Sequence, residues 1–306
     1  MGSFMGHVLP GTFFISFSLW WMVSIYRRYF ESRLSKRKYF NSSSFRCNCL
    51  SNFPLEAVIK LTLISIGIVG ETVTGFQDGK FVHLGNGQHI TMFGFFALNG
   101  VVDVVNFYRP GVLPPQLDYI SAAVGFGVEA FLFSWHLHGR TEIDVQLHTF
   151  LVYAILLTVS FTILETFNRE NVLFGLGRTF AVFLQGTWFL QISFILYNPL
   201  GGGVWTTHDD MMIITMIFAW HIAAIILLQA GIGCLVYLTV AKRFPDIISS
   251  RHIRLGEEYE NETQYDSCSS AGCQVKETLQ SCIDEEETLL EGAYEEYLPL
   301  PTSETA

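Results

Sequence analysis

Charge is scarce in this 306-residue sequence: Asp, Glu, Lys and Arg make up 15% of it, against 50% hydrophobic and 15% aromatic residues. A soluble domain usually carries about 25% charged residues, so much of the chain is expected to face lipid, in keeping with a mean hydropathy of +0.35. Even the net charge of −10 is missing from most of it. Residues 241–306 hold 5 basic and 15 acidic side chains, while the 13 basic and 13 acidic residues of the remainder cancel. Cysteine is sparse as well. None of the six (Cys47, Cys49, Cys234, Cys268, Cys273, Cys282) falls in a segment placed outside the cytosol below, so no disulfide framework is expected. Cys47 and Cys49 form a C-x-C in a basic, serine-rich loop with no histidine or second cysteine pair nearby. That argues against zinc there and leaves inert thiols or acylation beside the membrane. No H-E-x-x-H metal motif is present. Gly6 stands where a myristoylation signal needs Ser or Thr. No small-residue cleavage pattern accompanies the first apolar run, and its basic flank follows it, so a retained helix is expected and not a signal peptide.

What is present is a series of apolar runs near the roughly 20 residues that cross a bilayer. They are Val8–Tyr26, Leu55–Phe76, His89–Phe107, Leu117–Trp135, Val145–Phe167, Val172–Tyr197 and Met212–Val240. Breaks at Asp78–Gly79, Gly85–Asn86–Gly87, Arg109–Pro110–Gly111 and residues 199–203 separate several of them. The sixth is the least regular, with Gly175, Gly177 and Arg178 near its start. The fold class is thus all-α: a seven-helix membrane domain over residues 1–240 and a disordered acidic tail over 241–306. Lysine and arginine set the orientation. With the N-terminus lumenal, cytosolic segments receive Arg27 to Arg46, Arg109, Arg169, Lys242, Arg243, Arg251 and Arg254, and lumenal loops keep Lys80 and Arg140. The sequons at Asn41 and Asn261 then face the cytosol.

Topology gathers the ionisable groups. Eight of the nine histidines fall in the lumenal half, His252 being the exception. His7 precedes helix one, His89 opens helix three, His136 and His138 end helix four, His148 lies one turn into helix five, and His221 is about 14 Å deep in helix seven. Glu71 and Glu129 add carboxylates at similar levels. His136 and His138, two apart, both point inward only if the helix unwinds at Gly139. Asp144 and His148, four apart, stack at the start of helix five, where the aspartate would cap the helix and orient the imidazole. Intramembrane ionisable residues mark functional sites by default. Three readings stay open: a metal site of His89, His136, His138, His148 and His221 holding zinc, iron, copper or haem; a proton relay; or interhelical hydrogen bonds that hold the bundle. Gln185 and Gln191 bond to neighbouring helices or line a cavity. Asp103 and Lys60 read as a structural pair, and Glu165 as an interfacial residue.

The tail carries two sorting-type patterns, an acidic dileucine (Glu285, Leu289, Leu290) and a tyrosine motif (Tyr297, Leu300), of the kind that clathrin adaptor complexes read in extended form.

The body resembles the transmembrane protein 45 family. The resemblance runs through Gly6–His7–Val8–Leu9–Pro10–Gly11, His89–Ile90–Thr91–Met92, Val128–Glu129–Ala130–Phe131, His136–Leu137–His138–Gly139–Arg140 and Asp144 with His148. It continues through Arg169 with Asn171–Val172–Leu173, Leu184–Gln185–Gly186–Thr187–Trp188–Phe189, and Trp220–His221. It covers Met1 to Val240. The tail and the Cys47–Cys49 loop depart from it. It implies a seven-helix protein of Golgi, endosomal or lysosomal membranes, with the plasma membrane as a further location. The expected function is a trafficking or signalling component acting through partners, chiefly the bilayer and clathrin adaptors and no nucleic acid. The alternatives are a membrane enzyme or oxidoreductase with a histidine-bound metal or haem, and a proton-coupled transporter.

Overall fold

The computed structural model describes residues 3–47, 50–135, 139–201 and 203–245. Among them are seven helices long and apolar enough to cross a membrane: α1 Phe4–Leu34, α2 Leu55–Gly75, α3 Leu84–Tyr108, α4 Leu117–Trp135, α5 Glu142–Phe167, α6 Val172–Tyr197 and α7 His208–Ala241. A two-stranded hairpin, β1 Phe76–Gln77 and β2 Lys80–Phe81, joins α2 to α3. Its turn residues Asp78 (φ 51) and Gly79 (φ 73) are both left-handed, the backbone that a tight antiparallel turn requires.

Helix starts follow local chemistry. Ser3, Thr141, Asn171 and Thr207 each accept a backbone N–H of the first turn of α1, α5, α6 and α7, and Asp210 completes a capping box with Thr207. Thr141, not Asp144, therefore caps α5, which leaves the Asp144 carboxylate available to its neighbours.

Gly175 and Gly177 do not interrupt α6 but are packing contacts: a Cβ on Gly175 would overlap the Asn41 side chain and one on Gly177 the Phe161 ring. α6 is the most buried span. A Cβ on Gly186 would sit 2.8 Å from the Gly11 carbonyl oxygen, and one on Gly11 would sit 2.9 Å from that of Gly186. Small residues let two membrane helices approach backbone to backbone, and α1 crosses α6 here. α5 packs on α4 and α6, and α3 on α2 and α4. α7 lies against α1 and α6 with most of its surface outward. α1 and α2 do not pack along their length; they meet where Trp20 and Trp21 donate to Glu56, each at 2.8 Å. Between them lies a cleft with an enclosed volume of about 150 Å³.

Candidate functional site

At the end of the bundle where α1 begins, four side chains form a chain of contacts. One turn of α5 brings His148 to Asp144, and Arg140, just before the Thr141 cap, reaches back to it. Arg140 Nη1 donates to Asp144 Oδ1 and Oδ2 at 2.9 and 3.0 Å, and His148 Nδ1 lies 2.7 Å from Oδ1. The same Nδ1 is 2.9 Å from the Asp144 carbonyl oxygen. On its far side His148 Nε2 meets His7 Nε2 at 3.5 Å, and His7 Nδ1 is 3.0 Å from the Ser3 carbonyl oxygen. Both histidines are buried, at 1% and 7% exposure. Phe133, Phe189 and Tyr197 stack around them, and Tyr197 bonds to Arg140.

Other members of the expected cluster pair elsewhere. His89 Nδ1 lies 3.0 Å from Glu71 Oε1. Glu129 Oε1 accepts from Gln185 Nε2 at 2.9 Å, whereas Glu129 Oε2 and Gln185 Oε1 are buried without partners among the described residues. His221 contacts Thr187 Oγ1 at 3.1 Å and Gln191 Oε1 at 3.4 Å, with its ring edge-on to Trp188. The structure does not bring His221 to His148. Thr187 and Gln191 share one face of α6, and Phe189, which touches His7, lies about 200° round from Thr187. Among the described residues no three His, Cys, Asp or Glu side chains converge in a way that could hold a metal. His136 and His138 lie outside the described residues, as do Cys49, Asn261 and the tail motifs at Glu285, Leu289, Leu290, Tyr297 and Leu300. α4 ends at Trp135, and Gly139 is left-handed at φ 79.

The cleft between α1, α2, α3 and α4 connects several of these groups. Phe14, Phe93, Phe96 and Phe126 line it; Glu71 and His89 lie toward one end, Lys60 and Asp103 toward the other, and Glu129 in between. Lys60 Nζ donates to Asp103 Oδ2 at 2.6 Å and Asn99 Oδ1 at 2.9 Å, the structural pair expected from depth. Asp103 Oδ1 has no partner among the described residues.

The opposite end of the bundle holds the largest departure from expectation. Glu165 is not interfacial but wholly buried. It accepts from Arg178 Nε at 2.6 Å, Asn41 Nδ2 at 2.6 Å and the Tyr119 hydroxyl at 2.9 Å. Arg169 clamps the Asn41 carbonyl at 2.6 and 3.1 Å, which folds the α1–α2 connection under the bundle. Asn41 is 0% exposed, so in the folded protein its amide cannot carry a glycan on either side of a membrane. Nearby, burial pushes the Tyr39 hydroxyl above the ordinary tyrosine range.

Sequence reasoning missed His7 and Arg178 as site residues. The signal for His7 was its level: it shares the layer of His148 once the topology is drawn. Arg178 carried a weaker one, a lone arginine one turn inside an apolar run, which requires a buried partner.

The fold and these sites define a multi-pass, seven-helix membrane protein with ionisable groups built into its interior. Residues 115–234, spanning α4 to nearly all of α7, match a family model described as "Family of unknown function (DUF716)". The chain is also similar to transmembrane epididymal protein 1A of Mus musculus, 28% identical over 246 residues that cover 76% of this chain and 80% of that protein. Transmembrane epididymal protein 1 of Rattus norvegicus is 26% identical over 247 residues with the same coverage. Its Homo sapiens counterpart is 32% identical over 151 residues, 47% of this chain and 53% of that protein. The homology is distant. The matched family segment contains Glu129, Asp144, His148, Gln185 and His221, while His7, Glu71 and His89 come from helices outside it.

Proposed function

We propose that this chain is a transmembrane protein 45-type component of endosomal, lysosomal or trans-Golgi membranes that acts through partners in signalling or trafficking. In this reading its N-terminus is lumenal and its acidic tail cytosolic. The body receives a small amphiphile in the cleft between α1 and α2, and the tail engages clathrin adaptors through Glu285–Leu290 and Tyr297–Leu300. The observation that carries the reading is the composition of the cleft. Ligand sites are concave and mostly apolar, with a few convergent polar groups, and here phenylalanines surround Glu129, whose Oε2 is buried and has no partner among the described residues. An unmet buried acceptor costs about 1–3 kcal/mol, which a hydroxyl or amine of a bound amphiphile would offset.

The test uses full-length protein extracted with its native lipids. Mass spectrometry is expected to find a hydrogen-bond-donating amphiphile near one per chain, depleted in Ala122→Phe, which narrows the cleft wall. Capture of purified adaptor complexes should fall when residues 285–300 are removed. Equal amphiphile in both proteins, or equal adaptor capture with and without the motifs, rejects the corresponding half of the reading.

A further inference from the structure

The two imidazoles between α1 and α5 face each other in a way that neutral histidines do not satisfy. His7 Nδ1 addresses the Ser3 carbonyl oxygen at 3.0 Å; His148 Nδ1 addresses the Asp144 carbonyl at 2.9 Å and its carboxylate at 2.7 Å. Carbonyl and carboxylate oxygens only accept, so Nδ1 is the protonated nitrogen in each ring. In neutral rings that leaves a lone pair on each Nε2, and the two Nε2 atoms lie 3.5 Å apart. Neither has another partner among the described residues, and phenylalanine and tyrosine rings close off the surroundings. Two lone pairs opposed in a buried aromatic pocket repel. A cation between them turns the opposition into ligation.

We infer that His7 and His148 are paired ligands of a first-row transition-metal ion of the imidazole-preferring class, with zinc(II) as the representative ion. Metal–nitrogen bonds of about 2.0–2.1 Å spanning an Nε2···Nε2 separation of 3.5 Å subtend about 117° at the metal. That lies between the tetrahedral and trigonal angles. The outer contacts are those of a built metal site: a ligating histidine commonly gives its other N–H to a carboxylate or a backbone carbonyl. Asp144 serves His148 in this way, and Arg140 fixes Asp144 from the other side. The Ser3 carbonyl does the same for His7. No third His, Cys, Asp or Glu joins them among the described residues. Two imidazoles leave further positions of a tetrahedral ion open. His221 takes no part, because its ring nitrogens address Thr187 and Gln191. The inference is independent of what occupies the cleft.

The experiment uses the full chain, purified through a tag without histidines, stripped of metal, and titrated with zinc(II). Elemental analysis should return about one zinc per chain, and X-ray absorption at the zinc edge should show two imidazole nitrogens at about 2.0–2.1 Å. His7→Ala and His148→Ala should each abolish retention. Asp144→Asn should weaken binding by about 10- to 100-fold, and His221→Ala should leave it unchanged. Substoichiometric zinc in the unmodified chain overturns the inference, as do a spectrum with fewer than two imidazoles and undiminished binding by folded His7→Ala. Loss of zinc from folded His221→Ala also overturns it. Should either alanine variant fail to fold, the absorption spectrum of the unmodified chain decides alone.

Discussion

The two ends of the helix bundle treat buried charge in opposite ways. Around Glu165 every strong valence is met: a guanidinium, an amide and a phenol converge on one carboxylate, and a loop is folded under the bundle to deliver the amide. At the other end, carboxylates and imidazoles are buried with atoms to spare. Partway toward it, Glu129 Oε2 and Gln185 Oε1 have no partner among the described residues, and at it His7 and His148 set their Nε2 atoms 3.5 Å apart. Taking charge or polarity out of water without pairing it is costly, so a protein that completes one network has no physical reason to leave the other incomplete unless something else completes it. Toward the Glu165 end the Tyr39 hydroxyl and Asp103 Oδ1 also lack a partner among the described residues, but neither belongs to the Glu165 network, and Lys60 neutralises Asp103 through its other oxygen. The comparison separates a network that holds structure from one that holds valences open.

The largest expected effect lies at the closed end. Glu165→Ala strands the Arg178 guanidinium, itself 3% exposed, and removing one member of a buried pair costs about 3–5 kcal/mol. Unfolding of the purified protein in mixed micelles of rising dodecyl sulfate measures it. Glu165→Met combined with Arg178→Met should recover much of that loss, since it removes both charges together. A single variant no less stable than the parent would break the comparison, because the closed end would then carry no structural load.

The next effect sharpens the open end. Glu129→Gln keeps an acceptor for Gln185 Nε2 and offers an N–H to the unpartnered Gln185 Oε1. Stability should therefore change by no more than about 1 kcal/mol, the net scale of one hydrogen bond. The amphiphile found with the parent should nevertheless change in amount. A loss as large as that of Glu165→Ala would make Glu129 another structural residue and erase the difference between the two ends.

How much of this was legible in the sequence depends on whether a feature is set along the chain or across it. All seven helices were legible, because lipid demands long apolar runs and leaves no cheaper way to satisfy the backbone. The pairing of Asp144 with His148 was legible from four-residue spacing, and that of Lys60 with Asp103 from depth. Glu165 and Arg178 were not. A charge near the end of an apolar run reads as interfacial, and only the folded α1–α2 connection shows that end to be covered. The irregularity of α6 was misread for a related reason. Glycine is a break in a lone helix but a contact where another group packs in, as the Asn41 side chain does at Gly175 and the Phe161 ring at Gly177. Depth arithmetic placed His221 at a sensible level, yet level says nothing of direction around the bundle. Two residues of difference on α6 separate the face that meets His7 from the face that meets His221.

That last distinction supplies the smallest prediction and the finest test of the comparison. If His221 belonged to the open network, its removal would disturb zinc retention and the environment of His148. As it stands, it makes contacts at 3.1 and 3.4 Å with Thr187 and Gln191 and an edge-on contact with Trp188. Interhelical hydrogen bonds of this kind within a membrane contribute about 0.6 kcal/mol on average. His221→Ala should therefore lower stability by about that amount, well below the loss in Glu165→Ala. The imidazole resonances of selectively labelled His7 and His148 should stay where they are in the parent protein. Movement of those resonances would place His221 in the same network and shift the boundary between closed and open valences from the end of the bundle into its middle.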